Sequence, residues 1–299
     1  MRSRYGPPYR IREIAQQAGL SEATVDRVLN QRGGVRAGTV DEVRRAVADL
    51  DRQKSQLSLG GRTFIVDLVM QTPDRFSAAV RSALEAELPG LRPAVFRSRF
   101  HLRETATPAE IVATLERIGA RVGARSSHGV ILKAPDRPEI GEAVSRLVAR
   151  GVPVVTLVTD LPDSPRSAYI GMDNRAAGAT AAYLIGQWLG SRDGEVLVTL
   201  SSSFFRGEEE REIGGGNRAI VAAFAESGLS YDVFVAHDLD SDNTDLLRNQ
   251  QISAVLHHDL QCDVRAACQA IMRAHRARPG PVAPPRSTIQ IVTPYHLPS

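Results

Sequence analysis

Three consecutive glycines, Gly214 to Gly216, stand before Asn217 and a run that reads as a helix, "RAIVAAFAESG". Backbone amides at a glycine-rich helix start are a ready cradle for phosphate. This stretch has neither the lysine of a P-loop nor the spacing of a dinucleotide fingerprint. It also lies far from the first strand of the α/β region, where such a fingerprint belongs. No nucleotide, and no other cofactor, is therefore expected. "LHHDL", residues 256–260, offers His257, His258 and Asp259 as metal ligands. Neighbouring histidines on a strand point to opposite faces and rarely share one ion, so no metal is expected. Cys262 and Cys268 match no ligand spacing and suit a reducing compartment. With no G-x-S-x-G elbow and no H-E-x-x-H, nothing marks the chain as an enzyme.

A different chemistry sits near the start of the chain. Net charge over the 299 residues is +3, but residues 1–60 hold eleven Arg and Lys against seven Asp and Glu. The positive excess thus lies in the first fifth, ahead of a nearly neutral remainder. It fits a small unit that binds a polyanion, and equally a solvated helical surface. Within it, Ser21, Glu22, Ala23, Thr24 and Arg27 lie near the start of one helical run. Arg27 could reach a guanine edge or a phosphate, while Ser21 and Thr24 could hold phosphates.

The elements that would position these groups follow from periodicity. Ile11, Ile14, Ala15 and Ala18 share one helix face, and Gly19 ends that helix. Ser21 is a suitable N-cap for the next, with Leu20, Val25, Val28 and Leu29 as its apolar set. A third helix is read from Thr39, with Glu42 completing a capping box and Val40, Val43, Val47 and Leu50 as its stripe. Three short helices with a tight turn between the first two describe a helix-turn-helix, a unit whose second helix enters the major groove of DNA, although a plain helical hairpin with a surface arginine fits the same pattern. This headpiece spans 1–52, and the polar, glycine-ended segment 53–62 reads as a linker.

Residues 63–299 then alternate apolar runs with amphipathic helices. Strands are expected at 64–70, 94–100, 129–134, 152–158, 168–172, 195–200, 232–237, 253–258 and 289–293. Helices are expected at 76–88, 108–119, 138–150, 174–189, 215–227, 243–249 and 263–275. Continuous apolar strands between helices signal parallel sheets covered on both faces, the α/β class. So long a stretch implies two lobes. No run is long and apolar enough for a membrane span or a signal peptide, so a cytoplasmic protein with no membrane partner is expected.

The stretch "IREIAQQAGLSEATVDRVLNQRGGVRAGTVDEVRRAVADL" resembles the DNA-binding headpiece of the lactose/galactose repressor family. The match is dense from Ala15 to Asn30. Glu22 and Ala23 fall where that family varies its base-reading residues, and Asn30 ends the matching run. Asp26 departs from the pattern, standing where many members have serine; it and Arg27 could orient each other. The Tyr-x-Pro-Asn segment and hinge helix of the family have no clear counterpart in "DRQKSQLSLGGR". Leu57 or Leu59 could act as the minor-groove wedge, but Gly60-Gly61 would fray a helix.

The resemblance extends to the body, which is similar to the family's two-lobed, periplasmic-binding-protein-like regulatory core. It implies that Asp173 in "MDNRAAG" accepts hydrogen bonds from sugar hydroxyls, although Asp173 or Asn174 could simply cap the next helix. It maps a cleft arginine to Arg211, an aspartate at a strand tip to Asp238, and a ligand-facing asparagine after "GGG" to Asn217. Phe76, after the first strand, could stack on a sugar ring or pack in the core. In the family, on the order of 50 residues of strand and helix separate the arginine from the asparagine. Here Arg211 and Gly214 nearly abut, which implies a deletion near Ile213–Gly214. The resemblance implies a homodimeric transcriptional repressor on a pseudo-palindromic operator, controlled by a small sugar. The alternatives are a solute-binding protein or an α/β enzyme.

Overall fold

The computed structural model describes residues 9–59, 62–92, 94–197 and 217–297. Arg211, the Ile213–Gly214 junction and the last part of the strand expected at 195–200 lie outside these residues, and 191–197 carry no regular structure.

Three helices come first: α1 (Ile11–Ala18), α2 (Glu22–Leu29) and α3 (Ala37–Leu59). Gly19 adopts the left-handed conformation that closes α1, with φ 67°. Ser21 Oγ accepts from Thr24 N at 3.2 Å and so caps α2. Ile14, Ala15, Val25, Val43 and Ala46 are buried together, with Leu20, Val28, Leu29, Val47 and Leu50 packed around them. Tyr9 fastens the chain start to α3, its hydroxyl donating to Asp51 Oδ1 at 2.7 Å. Burial and then this bond push the Tyr9 phenol up to about 12.

Two expectations for α3 need correction. The helix starts at Ala37, since the Arg36 carbonyl already accepts from Thr39 N and Val40 N, so Thr39 and Glu42 are not its capping pair. It also runs on to Leu59, through most of the segment read as a linker. "QKSQLSL" holds no Gly or Pro, and Gln, Lys and Leu are good helix formers.

The first lobe is a five-stranded parallel sheet in the order β2-β1-β3-β4-β5. Its strands are β1 (Thr63–Gln71), β2 (Val95–Arg103), β3 (Gly129–Lys133), β4 (Val154–Leu157) and β5 (Ala168–Ile170). Between them come α4 (Asp74–Glu87), α5 (Pro108–Gly119) and α6 (Pro138–Ala149). One face of the sheet packs on α5 and α6 through Ile111, Leu115, Ile118, Ile140 and Val144. The other packs on α4 and on a helix from much later in the chain, α10 (Leu260–Ala274), through Val264, Cys268 and Ile271. Cys268 is thus a core residue, its thiol pushed up to about 12 by burial. Gly129 is required where α10 crosses β3, because a Cβ there would stand 2.8 Å from Ile271.

The second lobe holds α7 (Asn174–Leu189), α8 (Asn217–Glu226), β6 (Val235–His237), α9 (Ser241–Arg248), β7 (Ala254–His257) and β8 (Gln290–Val292). Its described sheet is β6-β7-β8. β6 and β7 are parallel, but β8 is antiparallel to β7, against the expectation of wholly parallel sheets. The direction follows from the route. After α10 the chain re-enters beside the end of β7, with Gln290 opposite His257, and runs away from there.

One buried charge orders the edge of the first lobe. Asp67, on β1 and wholly buried, meets Arg99 Nη2 at 2.5 Å, His101 Nε2 at 2.8 Å and Arg121 Nη1 at 3.0 Å. Burial alone would raise this carboxyl, but the bonds from His101, Arg99 and Ser127 outweigh it and bring it down to about 2. A depressed carboxylate stabilises the fold fully above its unfolded value, about 4. That contribution fades as pH falls from there through about 2. Asp67→Asn should cost about 3 kcal/mol near neutral pH, by leaving Arg99 and Arg121 without their carboxylate. Urea unfolding across a pH series should show the gap between wild type and variant closing in that acid window.

Candidate functional site

The first candidate is the exposed side of α2. Ser21, Glu22, Ala23, Arg27 and Asn30 are exposed and Thr24 is half-buried, while Val25 points into the three-helix core. Among the described residues Arg27 is in no ion pair, so its guanidinium is available to a base edge or a phosphate. The hydroxyls of Ser21 and Thr24 meet at 2.8 Å at the helix start.

Asp26 does not pair with Arg27. Its Oδ1 accepts from Asn30 Nδ2 at 2.6 Å and its Oδ2 from Arg32 Nη1 at 2.8 Å. The acidic departure from the family pattern therefore ties down two groups that could face DNA, and cancels the charge of one. Nothing in the sequence marked Arg32, which reaches Asp26 only because the turn after α2 folds back.

The second candidate lies where the chain passes between the lobes. Asp173 caps α7, Oδ1 accepting from Ala176 N at 3.1 Å, while its other oxygen meets Arg286 Nη1 at 2.6 Å. Asp238 follows β6 with φ 64°, a strained backbone for a non-glycine residue and one that clusters at functional sites. His237 Nδ1 lies 2.9 Å from its carboxylate and His258 Nε2 4.0 Å. Asn217 is buried at the start of α8. Its Nδ2 donates to Asn243 Oδ1 at 2.8 Å, and its Oδ1 is buried with no partner among the described residues. Asn243 in turn donates to the carbonyls of His237 and Asp238. The fold thus joins Asn217 to Asp238 through Asn243, a residue the sequence pattern did not mark.

Phe76 is half-buried at the first turn of α4 and packs on the core of the first lobe, with Lys133 Nζ 5.9 Å from its ring centre. Lys133 is 5% exposed at the tip of β3, where its ammonium faces the carbonyl of Gln71 at 3.5 Å. One residue before Phe76, Arg75 crosses the cleft to Asp240 at 3.3 Å. This ion pair brings the Phe76 side of the first lobe against the Asp238 side of the second. His257 and His258 do face apart: His257 Nδ1 lies 3.4 Å from Leu239 N, whereas His258 turns to Asp263 at 2.5 Å. Among the described residues no three His, Cys, Asp or Glu side chains cluster as metal ligands.

With that geometry in place, comparison with known proteins is informative. Residues 10–53 match the bacterial regulatory proteins of the lacI family. Residues 10–53 are therefore a lacI-family headpiece. Residues 104–214 match a periplasmic binding protein domain. No curated protein sequence matches the chain. Among solved structures, a glucose-galactose binding protein, GanP, from Geobacillus stearothermophilus is similar at 16% identity. It covers 80% of this chain and 100% of its own, with a TM-score of 0.65. A solute binding protein from Actinobacillus succinogenes, solved with D-allose, shows 13% identity, 78% and 98% coverage, and a TM-score of 0.65. A Bacteroides fragilis protein, provisionally described as a LacI transcriptional regulator, shows 12% identity, 78% and 97% coverage, and a TM-score of 0.66. At these identities the likeness establishes the fold of the body, a periplasmic-binding-protein-like pair of lobes. Among the described residues no helix is long and apolar enough to cross a membrane.

Asp26→Ala should release Arg32 and Asn30 and remove one negative charge from the recognition face. Affinity for duplex DNA should rise, and the slope of log K against log salt should steepen by about 1. Fluorescence anisotropy across a salt series measures both quantities.

Proposed function

We propose that this protein is a cytoplasmic, homodimeric transcriptional repressor of the lacI family whose hold on a pseudo-palindromic operator is set by a sugar in the cleft between its lobes. The observation that carries the reading is the face of α2, capped by Ser21 and presenting Glu22, Ala23 and Arg27 outward from a packed three-helix core. A solute-binding protein has no use for such a headpiece, and no G-x-S-x-G or H-E-x-x-H motif in the sequence favours an enzyme. The buried amide oxygen of Asn217, the strained Asp238 and the carboxylate of Asp173 are suited to hydroxyl donors of a sugar. Phe76 supplies an apolar ring on the first-lobe side, and Arg211 is the further cleft residue that the resemblance implies. A ligand bound between the lobes would favour one lobe arrangement and so alter the spacing of two headpieces.

The second lobe carries a further part of the proposal. The family resemblance of the sequence implies a deletion near Ile213–Gly214, and the match to the binding-protein domain ends at Gly214. The described second-lobe sheet has three strands against five in the first. Beside it lies an apolar groove of about 910 Å³ between α7 and α8, lined by Ile185, Leu189, Ile220, Phe224 and Leu229. Trp188 and Leu229 are 40% and 64% exposed. A missing strand and helix would leave such a groove. Effector response is accordingly weakened while DNA binding persists.

A gel shift on DNA flanking the protein's own gene should give a specific band with a steep salt dependence. Arg27→Ala should narrow the gap between specific and mixed DNA by about 1–3 kcal/mol. Equal loss on both DNAs would make Arg27 a phosphate contact instead. Thermal shift against a panel of sugars tests the cleft: an intact site would gain about 2.7 kcal/mol at a hundredfold excess over Kd. A smaller shift, removed by Asp238→Ala, is expected. Full sugar-induced release of DNA, with a single cooperative melt, would overturn the idea of a weakened lobe.

A further inference from the structure

In a parallel sheet with helical crossovers, the helix C-termini gather at the end where the strands begin. For the first lobe that end is also where the headpiece attaches. Only three residues separate Leu59, the end of α3, from Thr63, the start of β1, a reach of at most about 14 Å. Beyond Leu50, the last residue of the headpiece core, α3 continues for nine residues, roughly 13 Å.

The turns at this end carry arginine and no carboxylate. Arg92 closes the turn after α4, Arg125 lies in the turn before β3, and Arg150 is the C-cap of α6. Arg276 and Arg278 follow α10, whose end is fixed here by His275, with Nε2 2.6 Å from the carbonyl of His128. Arg62 enters β1 and stacks over Phe64 at 5.0 Å. The intervening residues 88–97, 120–128, 150–153 and 275–282 contain no Asp or Glu. These six arginines are all exposed, and among the described residues none is in an ion pair. Arg121 and Arg99, just above them, are neutralised by Asp67.

A cation at a helix C-terminus is favoured by the helix dipole, which accounts for Arg92, Arg150 and Arg276 singly. It does not account for Arg62 or Arg125, nor for the lack of Asp and Glu in the turns themselves, where the nearby Glu87 and Glu116 pair with Arg265 and Arg146. The site responds as an uncompensated positive field. His128 is held below the usual histidine range by burial and then by the charges of His275, Arg62 and Arg99. Arg273, in the last turn of α10, is lowered by burial and then by Arg278, and its Nε is buried without a partner. The opposite end of the same sheet has mixed charge, with Asp74, Asp136, Asp160 and Asp173 among its basic residues.

We propose that the arginine-lined base of the first lobe is a second nucleic-acid surface, gripping the phosphate backbone of the DNA whose sequence α2 reads. Arginine forks suit phosphate oxygens, and such contacts position a protein without reading sequence. The surface supplies affinity near the hinge, where the family's Tyr-x-Pro-Asn segment is absent. This inference rests on the DNA-binding reading of the headpiece and adds a separate contact to it.

The test uses the full chain and a labelled mixed-sequence duplex, titrated from ~50 to ~200 mM salt. The comparison is with Arg92→Gln/Arg125→Gln and Arg276→Gln/Arg278→Gln, two double variants of exposed residues whose melting should match wild type. Each is expected to bind the duplex at least tenfold more weakly at low salt. Each should flatten the log–log salt slope by about 0.9 for every phosphate no longer neutralised. A short duplex covering only the headpiece should bind wild type and variants alike. Unchanged affinity and slope on the long duplex would overturn the proposal while leaving the headpiece reading intact. Failure of wild type to bind any duplex would instead sink the DNA reading itself. Loss confined to RNA or to an acidic polypeptide such as polyglutamate, with DNA binding unaltered, would also overturn it.

Discussion

Two passages of chain between the lobes meet at the carboxylate of Asp263, and a third joins them through Ser287. Asp263 Oδ2 lies 2.5 Å from His258 Nδ1, at the passage from β7 into α10, and its Oδ1 accepts from Ser287 Oγ at 2.5 Å, on the return. Ser287 N donates to the carbonyl of Gly171 on the first passage, where Met172 and Ser287 form a parallel bridge. A buried, fully hydrogen-bonded carboxylate fixes its partners because each alternative leaves a buried polar group unpaired. The hinge is therefore one connected polar unit. The residues that could sense a ligand, Asp173 and Asp238, flank it, with His237 Nε2 lying 3.4 Å from Met172 Sδ.

That arrangement explains how one residue serves fold and site together. Asp173 caps α7 with one oxygen and holds Arg286 with the other, so the choice between helix cap and ligand contact is not exclusive. A sugar hydroxyl would compete with Arg286, not with the helix. Arg75 plays a similar part from the first lobe, since its pair with Asp240 is half-exposed and contributes little to stability. Such a pair is easily exchanged as the lobes move. Stability resides instead in the α10 contacts with β3, β4 and α4, where Ile271 lies over Gly129.

Local chemistry could be read from the sequence, and long-range partnership could not. The Gly19 turn, the Ser21 cap and the apolar stripe of the headpiece depend on residues a few positions apart, and all three form as expected. Strand and helix positions in the body follow hydrophobic period, and 108–119 and 174–189 begin and end where the pattern does. The start of α3 was missed because a plausible cap, Thr39, lay two residues inside a helix that backbone bonding begins earlier. The antiparallel β8 was missed because so short a strand carries no sign of direction; only the route of α10 supplies it. Asn243, Arg32 and Arg75 escaped notice because each acquires meaning only from a partner the fold brings close. Asp26 shows the limit well, since its neighbour in sequence, Arg27, is not its neighbour in space.

The two ends of the first-lobe sheet differ in charge for a reason built into the topology. Helix C-termini and strand N-termini share the base, so arginine is stabilised there by the helix dipoles and finds no competing carboxylate. The acidic caps Asp173, Asp240 and Asp259 belong to α7, α9 and α10, whereas α4, α5 and α6 of the first lobe start behind Pro73, Thr107 and Arg137. Acid therefore reaches the cleft from α7, α9 and α10, while helix dipoles favour Arg92, Arg150 and Arg276 at the base and leave Arg62 and Arg125 unexplained. The sheet between the two ends, with Leu68, Ile131 and Val155 wholly buried, is close-packed.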